Sequence, residues 1–187
     1  MVFVSVVTAV AVAFGGGPVI PKGFLTWEAE ARGPEWTVVT SKSTALQFAP
    51  CQRYVRWDKG RVAARVVSYL VEAEYSKHEQ LVVYKDVKAA KAVMKGLRAQ
   101  AARCAGGKKG PWVSPLGLGD EGLRMGSNGV HSGHADVVVR RGAAIISYGQ
   151  TTARMNSGLP YSRFKKVVSW AENGLLSKVC DLPAARC

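Results

Sequence analysis

Two histidines, one adjacent pair of acids and four cysteines are the residues whose types and spacing bear on chemistry. His131-Ser-Gly-His134-Ala-Asp136 brings two imidazoles and a carboxylate into one short stretch, and these are ligand types that suit zinc. The stretch lies in a glycine-rich turn, not on a helix that would fix its geometry, and no further ligand cluster is visible in sequence. No metal and no other cofactor is therefore expected. His78 stands alone in sequence and is expected to be exposed.

Catalytic acids are scarce, with thirteen Asp and Glu residues in the chain. Asp120-Glu121 is the one adjacent carboxylate pair. Neighbouring acids in a loop are not the separated, facing pair that glycoside hydrolysis needs. Gly119-Asp120-Glu121 reads instead as a turn, with the acids pairing to Arg140 or Arg141. The sequence has no G-x-S-x-G elbow, phosphate-binding loop or H-E-x-x-H motif. These absences point away from an enzyme and toward a binding module. Candidate ligand-binding residues are Trp112, which sits in a loop beside Gly110-Pro111, the acids Asp120 and Glu121, and the arginine pair Arg140-Arg141. The arginines supply charge-assisted contacts suited to an anion.

Cys51, Cys104, Cys180 and Cys187 are an even set without a C-x-x-C pair, so disulfides are expected rather than a zinc ribbon or a redox motif. Three pairings are possible. A bend at Pro183 favours Cys180 with Cys187, which leaves Cys51 with Cys104 to close a long loop. Closing a loop of that length stabilises by about 4 kcal/mol in the chain-entropy model. Disulfides belong to oxidising compartments, and the N-terminus agrees. Val2–Phe14 is uncharged and apolar, too short to span a bilayer and of the length of a secretory signal's apolar region. Ala11-Val12-Ala13 supplies the small residues of a cleavage site, although no Lys or Arg precedes the run. A secreted or extracytoplasmic location is expected.

The chain has 187 residues and a net charge of +13. That length suits a signal-like apolar segment and Gly/Pro linker over residues 1–23 and a single domain over 24–187. The charge suits an anionic surface, but no run of five basic residues occurs, so specific nucleic-acid binding is not expected.

The elements that must position these residues follow from pattern. Trp36–Thr40, Arg61–Val71 and Gln80–Tyr84 are rich in β-branched and aromatic residues and read as strands. Asp86 is placed as an N-cap. After it, Val87, Ala90, Met94, Leu97, Ala101 and Cys104 fall on one helical face, and Lys88, Lys91, Lys95 and Arg98 fall on another. Ala105-Gly106-Gly107 ends that helix, and residues 108–119 read as a loop. Leu123–Met125 starts a short strand. Asp136–Arg140 and Ala143–Tyr148 form a hairpin about Arg141-Gly142. Tyr161–Val179 is a second helix, interrupted at Asn173-Gly174. Hairpin connections dominate, which gives an α+β fold: an antiparallel β-sheet with helices packed on one face, held by two disulfides.

The ordered set Phe24-Leu-Thr26, Trp36, Cys51-Gln52, the Ala-rich helix ending in Leu97–Cys104, Pro115-Leu-Gly-Leu-Gly-Asp-Glu121 and Val137-Val-Val-Arg-Arg-Gly142 resembles the extracellular sensor domain of actinobacterial receptor-type serine/threonine kinases. This PknH-like family also has free-standing exported members. The resemblance runs over about residues 24–187. It implies an antiparallel α+β domain with a cleft and two disulfides, and ligand sensing outside the cell without catalysis. It transfers no individual functional residue. No kinase domain and no lipoprotein cysteine is present, so the resemblance reaches sensing and not signalling by this chain.

The function expected is a secreted, non-catalytic, sensor-like domain that binds a small-molecule or cell-envelope ligand as a monomer, in a cleft between sheet and loops. Two alternatives are a basic protein adhering to anionic polymers or membrane surfaces, and a secreted hydrolase. The hydrolase would need a Ser or Asp meeting His131 or His134 in a pocket.

Overall fold

The computed structural model describes residues 19–48, 55–71, 75–104, 112–128, 133–152 and 161–187. The apolar run at 2–14, Cys51, His131 and the loop at 155–160 lie outside the described residues.

Seven strands form one sheet: β1 (Trp36–Thr40), β2 (Arg61–Val71), β3 (Tyr75–Tyr84), β4 (Trp112–Leu116), β5 (Glu121–Asn128), β6 (Gly133–Arg141) and β7 (Ala144–Thr152). Their order is β1-β2-β3-β7-β6-β5-β4, and every neighbouring pair is antiparallel. The chain builds one meander, β1 to β3, and crosses by the helix α1 (Val87–Cys104). It then builds a second meander from β4 to β7. The last strand, β7, slots between β6 and β3 and joins the two halves. Gly142 turns β6 into β7 with φ of +56°, a conformation that costs glycine little.

The expected α+β class and antiparallel sheet are present. The helices, however, do not share a face. Leu81 and Val83 point toward α2 (Tyr161–Asn173), while Val82 and Tyr84 point toward α1. On one side Ala90, Val93, Met94 and Leu97 of α1 pack on Val82, Val138 and Ile145. On the other, Phe164, Val167 and Ala171 of α2, with Leu175 of the short helix α3 (Leu175–Lys178), pack on Leu81, Val137 and Ile146. The physical reason is written in the strands. Leu81-Val-Val-Tyr84 and Ala143-Ala-Ile-Ile146 are buried at every position. A strand with one wet face alternates, whereas an unbroken apolar run needs both faces covered.

Asp86 caps α1 as expected, its Oδ1 accepting from the Ala89 amide at 2.7 Å. The segment expected as a loop holds β4, a strand at the sheet edge that contains Pro115. An edge strand tolerates a residue with no N–H to donate. The lead-in to the domain is stapled to the sheet by Glu79. Its carboxylate accepts from the amides of Thr26 (3.0 Å) and Trp27 (2.7 Å) and from the Tyr148 hydroxyl. Burial raises the pKa of Glu79, and the Tyr148 and backbone hydrogen bonds partly offset that. Ile20, just upstream of the expected start, already packs in this core.

Cys180 and Cys187 are bonded. The closed loop brings Leu182 and Ala185 into the core, and the Ala185 carbonyl accepts from the Ala143 amide. The second expected disulfide lies outside what the structure describes, because Cys51 and the Cys104 side chain do.

Candidate functional site

Asp120, Glu121, Arg140 and Arg141 do come together. Cross-strand pairing sets Glu121 opposite Arg140. The Arg140 guanidinium is buried and donates from Nη1 to Asp120 Oδ2 (2.6 Å) and from Nε to Glu121 Oε1 (2.5 Å). Nη1 also donates to the Gly142 carbonyl at 2.9 Å. Arg141 reaches Asp120 Oδ1 at 3.2 Å, and Arg98 of α1 pairs with Glu121. Burial alone would push the Asp120 carboxyl up, but the Gly142 amide and the two arginines outweigh it and hold it below the usual carboxylate range. For Glu121, burial is likewise outweighed by its hydrogen bonds to Arg140 and Arg98. The cluster is thus a closed set of charges that ties the turn before β5 to the β6–β7 hairpin. The arginine donors expected to meet an anion already meet these acids.

Trp112 sits elsewhere. It pairs with Gly126, five residues along β5 from Glu121, a distance of about 16 Å at strand rise. Its ring lies over Gly126, where a Cβ would come within 2.6 Å of it, and 5.1 Å from the Phe164 ring. A hollow of about 270 Å³ lined by Arg124, Phe164 and Glu172 lies between β5 and α2.

His134 Nε2 is 3.9 Å from Asp136 Oδ2. Among the described residues no group of three His, Cys, Asp or Glu side chains is placed to hold a metal. His78 corrects the expectation of an exposed, isolated residue. The strand β3 begins earlier than its apolar stretch, so His78 pairs with Ser68 and Gly149 inside the sheet. Its Nε2 lies 3.1 Å from Ser147 Oγ. The Ser147 hydroxyl donates to the Gln47 carbonyl at 2.8 Å, so the imidazole must be the donor to the serine oxygen. That polarity is the reverse of a base activating a nucleophilic serine. Asp136 approaches the same place, because Gly149 has no side chain to separate it from His78. Burial lowers the His78 pKa to about 4 and raises that of Asp136 well above the carboxylate norm.

The larger described cavity, about 560 Å³, lies where α1 begins. It falls within the ~300–1,000 Å³ range of small-molecule sites. Trp57 forms one wall, Ala89, Ala92 and Val93 of α1 form the other, and Gly60 lies at the base. Lys59, Lys85 and Lys88 also line it. All three are exposed, and none forms an ion pair among the described residues. Asp86, the acid at the rim, has one oxygen on the Ala89 amide.

The wall is held in an unusual conformation. Trp57 has φ of +48°, a region in which a bulky side chain is strained. The Tyr84 hydroxyl donates to the Trp57 carbonyl at 2.8 Å. Buried Arg61 donates to the carbonyls of Arg56, Lys42 and Thr44. The Lys85 amide bonds to the Gly60 carbonyl at 2.7 Å, closing the base of the cavity. The Cζ3–Cη2 edge of the indole lies against Gly96 of α1, where a Cβ would collide with it. Sequence reasoning missed this site because residues 55–60 look irregular and polar. The available signal was Trp57-Asp-Lys-Gly60, an aromatic at a glycine turn leading directly into a strand.

No family model and no curated protein matches the sequence. Among solved structures the chain is similar to the extracellular domain of PknH from Mycobacterium tuberculosis, at 12% identity and a TM-score of 0.48, over 76% of this chain and 83% of that one. At that depth the likeness does not place the chain in a family. No helix among the described residues is long and apolar enough to cross a membrane.

Proposed function

We propose that this chain is a non-catalytic ligand-binding domain that works outside the cytoplasm as a sensor-like module. The observation that carries the reading is the cavity at the start of α1. A strained tryptophan is kept there against a glycine of the helix, leaving an open, mostly apolar space of about 560 Å³. Strain of this kind persists where the surroundings over-determine it, and it concentrates at ligand clamps. The Cys180–Cys187 bond supports an oxidising compartment, in keeping with the signal-like N-terminus. The part-buried Ser147–His78 pair, with its hydroxyl turned to a carbonyl, supports a structural role for the residues that most resemble catalytic ones.

The test is a titration of protein carrying labelled Ala and Val methyl groups with a library of fragment-sized ligands, followed by NMR. The reading expects saturable shifts concentrated at Ala89, Ala92 and Val93. Shifts absent there across the library, or concentrated at Val137 and Ala171 on the opposite face, refute it.

A further inference from the structure

We propose that the cavity takes an amphiphilic anion, with its apolar body between Trp57 and α1 and its single acidic group among Lys59, Lys85 and Lys88. This rests on the reading of the cavity as the ligand site and names the ligand's chemistry. Two features of the lining decide it. The walls, Trp57, Ala89, Ala92 and Val93, offer an apolar surface with an aromatic plate, which rewards burial of hydrocarbon. The lysines come from three separate places, the turn before β2, the residue after β3 and the first turn of α1, and they meet at one cavity. Three arginines elsewhere in the described molecule are matched to acids, Arg65 with Glu28, Arg98 with Glu121, and Arg140 with Asp120 and Glu121. Here three cations share a rim with one acid, and that acid's Oδ1 is used by the Ala89 amide. The start of an 18-residue helix adds its positive end to the same rim.

A cationic ligand would face three ammonium groups with little compensation. A purely polar anion would leave the tryptophan wall without a role. An apolar body with one carboxylate or phosphate satisfies both surfaces. Carboxylate and phosphate heads share this chemistry, and the probes separate them.

The experiment measures binding of dodecanoate, dodecyl phosphate, dodecanol and dodecyltrimethylammonium below their micelle concentrations, by calorimetry and methyl NMR. The full chain is used, as wild type and as Lys59→Gln/Lys85→Gln/Lys88→Gln. These side chains are exposed, and unchanged thermal unfolding of the triple variant confirms that it folds. An anionic probe is expected to bind at the Ala89 and Val93 methyls more tightly than dodecanol. Each lysine should contribute about two- to five-fold, so the triple variant should lose about ten-fold or more, and added salt should weaken the wild type toward it. Whichever anion binds more tightly identifies the head group. Dodecanol binding as tightly as the anions, tighter binding of the cationic probe, or a triple variant with wild-type affinity would each overturn the assignment while leaving the cavity as a ligand site. No shift with any of the four probes overturns the amphiphile assignment, and the fragment titration then judges the site independently.

Discussion

Gly96→Ala is the substitution on which the account of the Trp57 wall can fail most cleanly. In an exposed helix interior, replacing glycine by alanine stabilises by about 1 kcal/mol. At position 96 the new Cβ would lie closer than 3.0 Å to two carbons of the Trp57 ring, where ordinary contact is 3.4–4 Å. To move from 2.3 and 2.4 Å to ordinary contact the ring must retreat by about an ångström. It has little freedom to do so, because the Tyr84 hydroxyl fixes the Trp57 carbonyl and the backbone there is already at φ +48°. Overpacking of this kind costs about 1–3 kcal/mol. Set against the helix gain, the net effect falls between no change and a loss of about 2 kcal/mol. In a Trp57→Ala background the obstacle is gone, and Gly96→Ala should stabilise by about 1 kcal/mol. The two substitutions should thus couple by about 1–3 kcal/mol in a double-mutant cycle read by urea unfolding. If Gly96→Ala stabilises equally in both backgrounds, the indole does not lie on Gly96 and the described wall is wrong.

Three further outcomes follow from the same geometry. Arg140→Ala should cost about 2–3 kcal/mol of unfolding free energy, because it removes the buried donor to Asp120 and Glu121 while these partly exposed acids keep Arg141 and Arg98. Arg140→Lys keeps a charge beside the acids but cannot replace three directed bonds, so it should still destabilise, by less than Arg140→Ala; wild-type stability in Arg140→Lys would refute the description of those bonds. His78 titrates near 4 when folded and near 6.5 when unfolded, so its neutral form is stabilising above pH 6.5 and that contribution is lost as pH falls toward 4. Integrated over that window the loss is up to about 3 kcal/mol. Asp136, with its raised pKa, acts in the opposite sense, its contribution being lost as pH rises. The quantity to measure is therefore the difference between wild type and His78→Gln, flat above pH 6.5 and falling below it; a flat difference throughout contradicts the burial of His78. Removing the C-terminal bridge by Cys180→Ser/Cys187→Ser should cost about 2–3 kcal/mol in the chain-entropy model for so short a loop, seen as a lower urea midpoint with little change in slope.

The legible parts of the sequence were those where local chemistry and tertiary demand coincide. The spacing from Val87 to Ala101 and the Asp86 cap specified α1, and Arg141-Gly142 between two apolar runs specified the β6–β7 hairpin. The turn at Gly119-Asp120-Glu121 and an acid pairing with Arg140 or Arg141 were legible, and the register of β5 against β6 decides that both acids meet Arg140. The two-sided sheet was equally written in Leu81–Tyr84, whose unbroken apolar run needs both faces covered, but the expectation of helices on one face rested on the hairpin connections and not on that run. His78 and β4 were misplaced for a common reason. Tyr75–Glu79 and Trp112–Leu116 lack the alternating apolar signal, and pairing with β7 and β5 decides their state. The cavity was illegible because its parts are far apart in sequence. Trp57 and Lys59 precede β2, whereas Lys88 to Val93 follow β3, and only the pairing of β2 with β3 brings them together.

Ligand binding by this domain rests on the cavity at the start of α1, and filling that cavity should abolish it. Ala92 is exposed and lines the space, so Ala92→Trp should fill it without disturbing the core. The measurement is the affinity of the tightest-binding fragment for wild type and for Ala92→Trp, with Ala89 and Val93 methyl shifts as the site-specific readout. Loss of binding in a variant with unchanged thermal stability is the predicted result. Equal affinity in the two proteins would contradict it.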